Sequence, residues 1–95
     1  MKRVFLQYWE ESERGWGVRP DGCSLHLTMG EHKKYIEKIY ESRDSRNIPD
    51  EYDRTVGEVI DVFVKDDLYD AIKGSLRLWK HELNNLLKLE EITII

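Results

Sequence analysis

Cysteine is almost missing from this sequence: of 95 residues, only Cys23 carries a thiol. One cysteine cannot close an internal disulfide, and secreted domains of this size normally rely on several. The same scarcity excludes paired-cysteine metal sites and dithiol redox motifs. No apolar run approaches the length of a membrane span. The start, Met1 to Leu6, has a basic beginning but only three apolar residues before Gln7, short of a secretory signal core. Proline occurs twice, and no repeat or low-complexity linker divides the chain. Residues 1–95 are therefore read as a single domain, expected in the cytoplasm and without a membrane partner.

Catalytic signatures are also missing. There is no phosphate-cradling glycine loop, no nucleophile elbow and no helical His pair at zinc spacing. Cys23 and His26 are the one nucleophile and base close in sequence, but three residues apart on a strand they point to opposite faces. His26, His32 and His81 lack the company a metal needs, and Asp50-Glu51-Tyr52-Asp53 lacks the spacing and glycine of a calcium loop. The expectation is a non-enzyme with no metal and no cofactor.

What the chain does contain is charge, unevenly spread. Residues 1–43 balance at +1, eight Lys/Arg against seven Asp/Glu; residues 44–95 stand at −5, seven against twelve. The segment from Asp44 to Asp70 is the most acidic. A field of that sign repels phosphate backbones and attracts basic surfaces, so direct nucleic-acid binding is disfavoured.

Hydrophobic periodicity gives the elements. Val4, Leu6 and Tyr8 alternate with Phe5, Gln7 and Trp9, which predicts an interior strand or one covered by helices on one side. Trp16 to Arg19 predicts a second strand, Arg19-Pro20-Asp21-Gly22 a turn with Gly22 at positive φ, and Cys23 to Leu27 a third strand. Thr28 to Glu31 reads as a capping box for a helix with Tyr35, Ile36, Ile39 and Tyr40 on its apolar stripe, fading near Arg43. Residues 44–57 read as an irregular loop and Val56 to Lys65 as a β-branched strand. Asp66 or Asp67 is expected to cap a helix that Gly74 stops. From Leu76 to Glu91 a helical stripe runs through Leu76, Trp79, Leu83, Leu86 and Leu87, although Leu76 to Trp79 alone also suits a strand. Any apolar remainder on that helix offers a homodimer face. The tail Ile92 to Ile95 reads as extended and in need of a partner edge. The expected fold is α+β: a small antiparallel or mixed sheet, the N-terminal meander plus a strand near 56–65, with two or three helices on one face.

Two constellations could carry recognition. Asp44, Asp50, Glu51, Asp53, Glu58 and Asp61 form a surplus of acids that helix capping does not explain, suited to docking on a basic groove of another protein. Solvated acids that merely keep the protein soluble are the plainer reading. Trp9, Trp16, Arg19 and His26 could instead make an aromatic and guanidinium platform for a nucleotide-like ligand. Against that, tryptophans of a small domain usually serve its core.

The stretch Tyr8 to Gly17, continuing through Arg19-Pro20-Asp21-Gly22 to His26, resembles short uncharacterised proteins carried by phages and mobile elements of Gram-positive bacteria. The likeness extends to Leu76-Arg77-Leu78-Trp79 and Asn84-Asn85-Leu86. That resemblance implies an accessory protein acting in a bacterial host cell against host defence, in the manner of anti-CRISPR inhibitors or of sponges for nucleotide signals. It carries over no functional residue. The resulting expectation is a partner-binding inhibitor that occludes a host protein's basic groove with its acidic surface, with a small-ligand sponge as the alternative.

Overall fold

The computed structural model describes residues 1–13, 17–42 and 51–95, with Glu51 as backbone only. The elements run β1 (Lys2–Glu13), β2 (Gly17–His26), α1 (Met29–Glu41), β3 (Glu51–Val64), α2 (Asp66–Ile72), β4 (Ser75–Leu78), α3 (Lys80–Lys88) and β5 (Ile92–Ile94). The five strands form one antiparallel sheet in the order β4-β2-β1-β3-β5. The α+β expectation is met, and β1 is indeed interior.

The apolar content of both faces of β1 has a direct cause: helices cover the sheet on two sides, not one as expected. Val4 and Leu6 of β1, Cys23 and Leu25 of β2, and Val62 and Val64 of β3 form a core with Ile72 of α2 and Leu83 of α3. The opposite face presents Gln7, Trp9, Ser24 and His26, and α1 lies on them: Tyr35 packs edge-on against the Trp9 indole, and His32 against His26. Strand alternation puts these two residue sets on opposite faces.

Three local expectations change. The Arg19–Gly22 turn is not a turn, because β2 is continuous from Gly17 to His26. Between Tyr8↔Cys23 and Glu10↔Pro20 the register slips, two residues of β1 against three of β2. The Pro-Asp-Gly chemistry thus serves a β-bulge, with Gly22 at φ 85. Pro20 lies beyond the four residues that pair with β4, at an edge position where a strand tolerates proline. The expected loop ends earlier, since β3 begins at Glu51; its register against β1 shifts between Leu6 and Tyr8, near Gly57 at φ 72. Finally, Lys65 rather than Asp66 or Asp67 is the N-cap of α2, and both acids sit in its first turn, where the helix dipole favours them.

Other expectations hold. The Thr28 hydroxyl accepts from the Glu31 N–H at 3.0 Å, and α1 ends at Glu41. Lys73 and Gly74, both at positive φ, stop α2. Leu76 to Leu78 belong to a strand, so Leu76 and Trp79 lie off the C-terminal helix, which begins at Lys80. Leu83, Leu86 and Leu87 pack toward the core, and the tail pairs with β3 as β5.

Candidate functional site

Beneath α1 the strands hold a chain of polar side chains. The Trp9 Nε1–H donates to Ser24 Oγ at 2.8 Å, Ser24 Oγ lies 2.7 Å from His26 Nε2, and His26 Nδ1 lies 2.7 Å from Ser75 Oγ. Ser75 donates onward to the Glu31 carbonyl at 3.3 Å. Its only hydrogen is then used, so Ser75 must accept from His26 Nδ1–H. His26 Nε2 is left as an acceptor for the Ser24 hydroxyl. Every group is satisfied with His26 neutral. Its pKa agrees, lowered to about 4 by burial and, secondarily, by His32.

By distance, Ser24 and His26 make a nucleophile and base. Their i, i+2 spacing on a strand was the signal for it, one that a search by catalytic motif passes over. Both side chains are completely buried, and the hydroxyl already accepts from Trp9, so no substrate reaches them. Cys23 points into the opposite core, where burial pushes its thiol up to about 12, against the pull of Arg77. The separation of Cys23 from His26 is as expected.

Of the six acids singled out in the sequence, Asp53, Glu58 and Asp61 have described side chains, and their surroundings differ. Asp53 is largely buried and lies 3.4 Å from Arg77 Nη2, with Asp21 at 3.5 Å from the same nitrogen. Arg77 also donates to the carbonyls of Asp21, Cys23 and Leu78, and its guanidinium sits 4.2 Å over Trp79 and 5.3 Å from Trp9. Burial, with the neighbouring Asp21 carboxylate, raises Asp53 to about 6 despite the Arg77 charge. Asp61 pairs with Arg3, while Glu58 is exposed. Asp44, Asp50 and the Glu51 side chain lie outside the described residues, as does Trp16. Of the proposed stacking platform, Trp9 and His26 are brought together through Ser24 but sealed under α1. Arg19 is paired with Glu11 and Glu13. Among the described residues, no cluster of three or more His, Cys, Asp or Glu side chains could hold a metal ion.

A different feature is open. Residues of β1, β2, β3 and α3 together line a groove of about 560 Å³. Its apolar lining comes from Tyr8, Val18, Pro20, Val56, Leu83 and Leu87. Val18 and Val56 of this lining remain 48% and 40% exposed, so together they leave apolar surface open inside the groove. Three charged residues also line it, and two are paired locally: Glu10 with Arg54, and Arg19 with both Glu11 and Glu13. The third is Lys80. Sequence reading missed this site because Val18 and Pro20 were assigned to a short strand and a turn; only the bulged, continuous β2 brings them beside Val56 and α3. Comparison with protein-family models, curated proteins and solved structures finds no match to this chain.

Proposed function

We propose that this chain is a non-enzymatic binding protein whose recognition surface is the groove between the outer β1–β2–β3 sheet and α3. One observation carries the reading: apolar side chains stay open to solvent there, around a volume in the range of ligand pockets, while Cys23, Ser24 and His26 are sealed away. Setting and target are a further step. Action in a bacterial host cell against host defence rests on the resemblance to phage and mobile-element proteins alone.

Methyl-resolved NMR against a panel of apolar small molecules tests the reading. Binders are expected to shift Val18, Val56, Leu83 and Leu87 together. Shifts confined to the exposed Trp79 ring or to the acidic strand β3 around Glu58 would overturn it. A second reading keeps the acidic segment as the docking surface for a host protein's basic groove, supported by the exposure of Glu58. Salt separates the two. Docking by exposed acids weakens steeply as ionic strength rises, whereas apolar burial is strengthened by sulfate. Because Asp53 is tied to Arg77, reversing it to Lys would also lower stability, so Glu58→Lys is the cleaner probe of that second reading.

A further inference from the structure

We infer that the groove takes a small amphipathic anion: an apolar body against Val18, Val56 and Leu87, with one carboxylate- or sulfonate-like group held at Lys80. The inference rests on reading the groove as the recognition surface and adds the class of its ligand. Two features decide the class. The first is size, since about 560 Å³ suits one small molecule. The second is charge. Lys80 has no ion-pair partner among the described residues, so its ammonium is the one charged group of the described lining left without a counter-ion. Asn84 follows four residues later on the same face of α3 and also lines the groove, where its amide offers a second donor. Glu10, the one acid of the lining, is engaged by Arg54 and does not cancel Lys80. An apolar cation would meet the unpaired Lys80 ammonium, while the acids nearby, Glu10, Glu11 and Glu13, are already held by Arg54 and Arg19. An apolar anion gains a charge-assisted contact at the rim and loses water from its body in the groove.

The test uses the whole chain and three probes: anilinonaphthalene sulfonate, decanoate and decylamine. The dye is expected to bind one per chain with enhanced emission and an unchanged near-ultraviolet circular dichroism spectrum. Decanoate should displace it and decylamine should not. Lys80→Glu should weaken decanoate about tenfold, while Lys88→Glu, the same charge change off the groove, should leave it unchanged. The double variant Val18→Asn/Val56→Asn alters exposed positions without changing charge, and should weaken every probe. Equal displacement by decanoate and decylamine, or indifference to Lys80→Glu, overturns the anion assignment and leaves the groove standing if the double variant still loses binding. Full binding by the double variant overturns the groove as well. No binding of any probe to the unmodified chain overturns the amphipathic ligand.

Discussion

Gly22 illustrates how one residue type serves two demands. Its φ of 85 permits the bulge that lets β2 run on past Pro20. A Cβ built there would stand 2.0 Å from the Leu78 carbonyl oxygen and 2.7 Å from the Trp79 carbonyl carbon. These are backbone atoms at the turn from β4 into α3, and they cannot step aside singly. Gly17 has a similar φ of 89 with nothing within 4 Å. The pair therefore separates conformational cost from collision. Gly17→Ala should cost about 1 kcal/mol for the left-handed backbone alone, and Gly22→Ala about 3 kcal/mol once overpacking is added. Urea denaturation of the two variants measures the difference; equal losses would mean that Gly22 is needed for its φ only.

At the scale of elements, the open side of β3 shows how the sheet deals with an unpaired edge. β5 pairs with β3 only at Val62 to Val64, so among the described residues no outer strand pairs with the stretch around Thr55. The end of α1 covers it instead: the Tyr40 hydroxyl accepts from the Thr55 N–H at 3.1 Å and lies 3.2 Å from its side-chain oxygen. Tyr40→Phe should speed hydrogen exchange of the Thr55 amide while costing about 1 kcal/mol of stability. An unchanged exchange rate would show that the hydroxyl does not protect that edge. Elements with an unambiguous period were legible beforehand. β1 and the later half of β3 alternate, and α1 has both its Thr28 cap and its stripe. Elements whose form depends on a neighbour were not. Arg19 to Gly22 carries turn chemistry, but pairing with β1 draws it into a strand. Leu76 to Leu78 fits either period until β2 offers an edge. The groove was invisible for the same reason, because Val18, Val56 and Leu87 meet only after the bulge and the sheet order are known. His26 was singled out from sequence, yet its partners Ser24 and Ser75 come from two strands and fix it as a neutral, buried linker.

At the scale of the whole molecule, a buried group and a partly buried one on the α1 side of the sheet, His26 and Asp53, set opposing responses to acid. His26 has its pKa lowered from 6.5 to about 4, chiefly by burial. Between those values the unfolded chain holds a proton that the folded chain refuses, so this group makes stability fall as pH falls. Asp53 has its pKa raised from 3.8 to about 6, by burial and then by Asp21. Between those values the folded chain holds a proton that the unfolded chain has released, so this group makes stability rise as pH falls. The windows overlap between about 6 and 4, and each response masks part of the other. Asp53→Asn removes one of them and keeps a side chain of the same shape beside Arg77. Near neutral pH the variant escapes the cost of an ionised, partly buried carboxylate, so its melting temperature should compare most favourably with the parent there. As pH falls toward about 4, the parent gains from protonating Asp53 and the variant does not, so that relative advantage should shrink. The variant's own curve should then descend more steeply with acid, with the His26 response no longer offset. Melting temperatures of both proteins across this range measure the difference directly. Parallel curves would show that Asp53 ionises in the folded chain as it does in the unfolded one, and that Arg77 fully offsets its burial.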